Sequence, residues 1–387
     1  VVEARYGKET AFSIPRKIEG IEAAISRLQD DIIRDAATRR GTSDPANAVS
    51  KIEASGKAPP GVLGDTARDM GNLLFQYLFD KDIEKVYRKA VKDCDGKENN
   101  LQIALTFAED PESNPLLVAP WLNLTPWETL WDNQAKQFMA TDGSTFFCRA
   151  VGGPLKSKAR TPPLRVLIMA AYPQVFEGRR LGNLKGRVEV EKIRDVLRGQ
   201  GCQVSVVPGE SIDDLEQELF ENNPARYFDV LHFIGHGDFD GDRGEGYLLF
   251  REPDGAGGAP IHADYLRNLL SQPWAPQLVV LNSCSGARGR GGDMFSSTAA
   301  FLSLGRIPAV VAMQFPITDR AAVEFSRSFY RWLGQGALVQ EATRRARWKL
   351  SSLGPEWITP VLYLRNPEGR LVLRQTSAAT DDSMAQV

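Results

Sequence analysis

The chain has 387 residues, 42% of them hydrophobic and 25% charged, with a net charge of −2. That balance belongs to a folded globular protein and argues against broad electrostatic binding to nucleic acid or an anionic membrane. No apolar run nears the ~20 residues that span a bilayer, and four scattered cysteines with only three histidines form neither a disulfide framework nor a zinc site. The first ten residues carry no basic-then-apolar leader pattern, and the sparse cysteines lead to the expectation of a reducing, cytoplasmic setting.

Residues 15–40 carry apolar side chains at helical spacing, and 41–61 are rich in turn formers. Two helices are predicted over 64–79 and 82–94, followed by a strand at 101–107. The stretch WLNLTPWETLWD (121–132) is dense in tryptophan; Trp121, Trp127 and Trp131 are expected to pack a core between two halves rather than cage a ligand. Residues 152–163 are basic and hold Gly and Pro, which marks a linker. The chain thus divides into an N-terminal region (1–151), the linker, an α/β domain (164–373) and a tail (374–387).

From Leu164 onward, short apolar strands alternate with amphipathic helices. Strands are predicted at 164–172, 202–208, 229–236, 246–250, 277–284, 307–315 and 359–365. Helices are predicted at 188–202, 211–222, 262–272, 295–305, 319–336 and 339–354. Ser211 followed by Asp214 reads as a helix-capping pair. This alternation predicts a mainly parallel sheet covered by helices on both faces.

In such sheets, sites form beyond the carboxyl ends of the strands. DVLHFIGHG delivers His236 there, bracketed by glycines, and QLVVLNSCSG delivers Cys284. The separation of 48 residues, histidine first, is close to the ~50 of caspase-type enzymes, although NSCSGA stands in place of Q-A-C-x-G. An imidazole beside a thiol can take its proton and later protonate a leaving amine. The backbone amides of Gly237 and Cys284 are the candidate oxyanion donors. No metal or organic cofactor is required.

Neighbouring residues carry alternatives. His232 shares a face with His236 and is expected to be a satisfied core histidine; His262 is expected to be a surface or capping residue. DFDGDRGE (238–245) has three carboxylates at calcium-loop spacing but Leu249 where a glutamate is needed, so a solvated loop is expected. SGARGRGGD (285–293) lacks the end of a nucleotide-binding loop. Asp319 reads as the N-cap of the helix it precedes.

The blocks FDVLHFIGHGDF, LVVLNSCSGA, GRIPAVVAMQFPITDRAAVEFSRSFYRWLGQG and EWITPVLYLR, with the upstream LTPWETLWD, resemble the CHAT domains, caspase-like proteases related to separase. The resemblance implies a caspase-like three-layer sandwich, with His236 as acid/base, Cys284 as nucleophile, and an N-terminal pseudo-caspase-like accessory half. In the caspase-like folds that this chain resembles, the stretch 313–319 borders the substrate pocket, and the resemblance implies that Asp319 would favour a basic substrate side chain there; Gln314, Arg179 and Arg180 are alternative walls, the arginines favouring an acidic one. It also implies a protein substrate, gasdermin-like or toxin-like in a bacterial defence or cell-death setting, and an activating sensor module or partner. Two other readings stand beside it: a catalytically silent scaffold or sensor of the same fold, and a nucleotide-dependent α/β enzyme.

Overall fold

A computed structural model describes residues 2–6, 9–13, 28, 61–94, 101–107, 125–151, 153–157, 159–181, 186–220, 228–253, 255–272, 275–283, 296–315 and 317–372. A hairpin of β1 (Val2–Tyr6) and β2 (Glu9–Ser13) precedes helices α1 (Gly61–Leu78) and α2 (Lys81–Cys94). Strand β3 (Leu101–Phe107), a 3₁₀ turn at Trp127–Thr129, the small ribbon β4 (Trp131–Asp132)/β5 (Gln137–Phe138) and β6 (Thr145–Val151) complete this region.

The α/β alternation follows. It runs β7 (Arg165–Ala171), the hairpin β8 (Val175–Phe176)/β9 (Arg179–Arg180), α3 (Gly186–Gly199), β10 (Gln203–Val206) and α4 (Ile212–Phe220). Next are β11 (Val230–Asp240), β12 (Glu245–Arg251), β13 (Gly258–His262), α5 (Ala263–Leu269) and β14 (Leu278–Ser283). The last elements are α6 (Ser296–Leu304), β15 (Ala309–Met313), α7 (Asp319–Gly334), α8 (Val339–Ser351) and β16 (Pro360–Leu364).

One sheet gathers most strands, in the order β10-β7-β11-β14-β15-β16-β6-β3. Pairing is parallel except between β15 and β16, and where β11 continues into an antiparallel β11-β12-β13 extension. The N-terminal strands β6 and β3 therefore prolong the same sheet as the strands of the α/β alternation. The seam between them is a single backbone pair, Tyr363 with Arg149.

Alternate residues of the strands face opposite layers, as the pleat requires. Val166, Ile168, Val230, Ile234, Val280 and Val311 belong to one core with buried residues of α1, α3, α7 and α8. Leu167, Met169, Leu231, Phe233, Val279 and Leu281 face α4, α5 and α6. A strand buried on both faces reads as an unbroken apolar run, which is why these segments stood out in the sequence.

The stretch expected as a linker is tied down. Leu155 N–H donates to the Arg365 carbonyl (2.8 Å) and Arg160 N–H to the Leu371 carbonyl (2.8 Å). The Ser211–Asp214 cap forms, with Ser211 N–H on the carboxylate (2.9 Å) and Asp214 N–H on the hydroxyl (3.2 Å). The cap of α7 differs from expectation by one position. Thr318, not Asp319, is the N-cap, and its hydroxyl accepts from Ala321 N–H (3.3 Å). Asp319 is the first helical residue, where its charge favours the positive end of the helix dipole. No helix among the described residues is long and apolar enough to cross a membrane.

Candidate active site

His236 sits where β11 changes partners. Up to Gly235 the strand lies between β7 and β14, with Gly235 level with Ala171 and Ser283. From His236 it pairs with β12, opposite Leu249. A Cβ on Gly235 would stand 2.8 Å from the Ala171 carbonyl oxygen and press on the Phe233 ring. The glycine before the histidine thus admits a close approach of β7.

The imidazole of His236 is 1% exposed. Neither ring nitrogen has a hydrogen-bond partner among the described residues. Burial pushes its pKa down to about 4, so the ring is neutral through the physiological range. Cys284 lies outside the described residues. Its preceding residue, Ser283, is the register partner of Gly235, so both chains arrive at the same level of the sheet. Among the described residues no group of histidine, cysteine or carboxylate side chains could hold a metal ion.

His232 is fully buried on the same face, and its Nδ1 lies 2.9 Å from the Tyr330 hydroxyl of α7. Burial lowers its pKa to about 3. It belongs to the core, although its Nε2 has no partner among the described residues. His262 stands at the N-cap of α5 without a capping bond; its Nε2 meets Asp240 at 3.1 Å. The acidic loop 240–245 closes on itself, with Asp240 accepting from the backbone N–H of Asp242 and Arg243.

The four candidate pocket residues separate. Arg179 and Arg180 stand exposed on the β8/β9 hairpin, beyond the end of β7. Asp319 is exposed in a groove of about 870 Å³ between α3 and α7, with Lys192, Asp195, Arg320, Glu324 and Arg327. Gln314 is 2% exposed and its amide is engaged on both sides, so its side chain faces the seam between the two halves and not an open cleft.

Two acidic residues lie near the histidine: Asp238, expected in a solvated loop but placed in β11 and partly buried, and Glu177, which the sequence did not single out. Asp238, two residues beyond His236, has its pKa raised, chiefly by burial and further by Glu177 of the β8/β9 turn. Tyr247 of β12 feels both carboxylates. Glu177 carries no sequence signal beyond its place in a tight turn, where its φ of 48° sits beside Gly178.

The largest omission is Glu128 of the tryptophan-rich block. It is 0% exposed and meets Arg149 through a bond from Nη2 (2.5 Å) and one from Nε (3.2 Å). Gln314 Nε2 donates to the same carboxylate (2.9 Å) and to the Ile358 carbonyl (2.8 Å). Arg347 of α8, also buried, approaches at 3.7 Å and donates to the Pro360 and Phe147 carbonyls. Trp127, beside it, is buried in the core as expected, Trp131 packs edge-on against Phe138, and Trp121 lies outside the described residues.

Comparison with solved structures gives distant similarity. The Arg-specific cysteine proteinase gingipain R of Porphyromonas gingivalis is 10% identical, with a TM-score of 0.42 over 76% of this chain and 70% of that one. The Saccharomyces cerevisiae separase–securin complex is 11% identical with a TM-score of 0.42, over 90% of this chain and 27% of that one. This chain therefore spans about a quarter of the separase structure's chain. Caspase-1 from Spodoptera frugiperda is 13% identical, with a TM-score of 0.34 over 55% of this chain and 90% of that one. No curated protein sequence matches. The CHAT domain profile matches residues 69–356, a span that holds the buried Glu128 cluster, His236 and Cys284, and by that match the chain belongs to the CHAT domain family.

Proposed function

We propose that the chain is a cysteine endopeptidase in which His236 and Cys284 form the catalytic pair. The observation that carries this reading is the Gly235–Ser283 register, together with a buried imidazole whose two nitrogens have no partner among the described residues. A buried polar group left unpaired costs roughly 1–3 kcal/mol. Such groups persist where function needs them.

The chemistry follows from ordinary values. A thiol titrates near pH 8.5, so only a few per cent is thiolate at neutral pH. A neutral His236 accepts the Cys284 proton as the sulfur attacks the scissile carbonyl. The amides of Cys284 and Gly237 are the proposed donors to the developing oxyanion. The protonated imidazole then gives its proton to the leaving amine, leaving a thioester acyl-enzyme. Water, deprotonated by the same ring, hydrolyses the thioester and restores the thiol.

The substrate is a protein segment, with a gasdermin-like or toxin-like protein of a bacterial defence system as the candidate partner, and a sensor module or second protein as activator. Arg179, Arg180 and Asp319 are the exposed candidates for setting its specificity. Peptide-library cleavage by wild type beside Cys284→Ala tests the reading. Products from wild type alone support it, and their sequence assigns the pocket. Equal cleavage by Cys284→Ala overturns it. If neither cleaves, labelling by an electrophilic peptide probe, blocked in Cys284→Ala, separates a latent enzyme from a silent scaffold.

A further inference from the structure

Three parallel strands are level at one line, where β11 parts from β7 and β14. Gly235 of β11 is level with Ser283 of β14, and Leu281 of β14 is level with Ala312 of β15. Two residues on from that last pair, Gln314 falls level with Ser283. Gln314 and Phe315, followed in the chain by Ile317 and Thr318, therefore leave the sheet beside β14, whose sequence continues to Cys284, on the side away from His236.

That segment is clamped by two carboxylates from outside it. At its start Gln314 binds Glu128, Arg149 and the Ile358 carbonyl, while its own N–H donates to the Thr359 carbonyl (2.9 Å). At its end the Thr318 N–H and hydroxyl both donate to Glu356, at 2.6 and 3.1 Å. Between the clamps, Phe315 and Ile317 are buried. Glu356 adjoins β16 in the catalytic region, but Glu128 belongs to the N-terminal region. Its charge reaches the segment only when the two regions are seated together.

We infer that Glu128 is a positioning residue, which sets the 314–318 wall of the proposed cleft and so makes the cleft's shape depend on the seating of the N-terminal region. The inference rests on the protease reading for its kinetic consequence, but the clamp itself can be tested without it. A carboxylate with two guanidinium groups and an amide around it fixes geometry more tightly than a neutral pair would. Removing its charge leaves Arg149 and Arg347 competing for one amide oxygen.

The experiment compares wild type with Glu128→Gln and Gln314→Ala, the second of which keeps the Glu128–Arg149 pair and cuts only the segment's share. Hydrogen exchange of the 312–320 backbone is measured alongside thermal unfolding, the kinetics of a peptide found by the library screen, and alkylation of Cys284 by iodoacetamide. Both variants are expected to speed exchange over 312–320 while strand β7 stays protected. KM is expected to rise about tenfold with kcat little changed, and alkylation to stay within about twofold of wild type. The exchanged pair Glu128→Gln with Gln314→Glu returns the carboxylate to the reach of Arg149 and should recover most of the loss.

Wild-type exchange and wild-type KM in Gln314→Ala overturn the inference, as does uniform loosening of the whole protein without a local change. If wild type cleaves no peptide, Cys284-dependent labelling by the electrophilic probe decides the protease reading, and the exchange data decide the clamp alone.

Discussion

Two buried polar sites in the sheet are built in opposite ways. At the seam, Glu128, Arg149, Arg347 and Gln314 are buried together and bound to one another or to backbone carbonyls. At the end of β11, His236 is as deeply buried, and its nitrogens meet nothing among the described residues. The first arrangement fixes geometry. The second leaves a neutral imidazole whose nitrogens the proposed reaction would use to carry a proton. Stability should therefore depend heavily on the seam and hardly at all on the histidine, and activity should depend on both.

The largest effect is expected from Glu128→Ala. Two buried guanidinium groups would lose their counter-charge, at a cost of about 3–5 kcal/mol in urea unfolding. A loss under about 1 kcal/mol would mean that the seam is not held by charge.

Acid should act next. Burial holds His232 and His236 neutral, with pKa values of about 3 and about 4. Below pH 6.5 the unfolded chain takes up those protons and the folded one does not, so stability falls as pH drops from 6.5 towards those values. Each group contributes about 2 kcal/mol of that loss by pH 5. Replacing both members of the core pair, as His232→Leu with Tyr330→Phe, should flatten the decline; an unchanged slope would assign it to other groups.

Gly235→Ala should cost about 1–3 kcal/mol, because the new methyl forces β7 and β11 apart. It should also reduce cleavage by shifting His236. Full activity would show that the close approach is not what aligns the site.

The smallest stability change is expected from His236→Leu. Deleting an unpaired buried imidazole should leave stability unchanged or raise it by up to about 1 kcal/mol, while cleavage disappears. A large destabilisation would place His236 with the seam residues, as a structural group.

The difference between the clusters also decides what could be read from the sequence. His236 and Cys284 could be nominated from the sequence because each follows an apolar run, and strand ends are where parallel sheets place sites. Glu128 was not, because its partners stand 21 and 186 residues away and no periodicity joins them. Gln314 was read as a cleft wall for the same reason: the sequence shows that it follows a strand, not which way its amide turns. The α/β alternation was legible from burial on both faces. The reversal of β11 into β12 was not, since a turn rich in Asp and Gly marks a change of direction without naming the partner strand. The cap at Thr318 was displaced to Asp319 because both residue types cap well.

The seam has one more consequence, for what happens when the chain is cut. The stretch between β6 and β7 is pinned by backbone bonds from Leu155 and Arg160 to Arg365 and Leu371. The sheet itself runs across the junction of the two regions. A protease nick within 159–163 would break the polypeptide without parting the pieces. The product would be a two-chain complex, joined along a β-sheet and riveted by a buried ion cluster, that migrates as one particle until denatured.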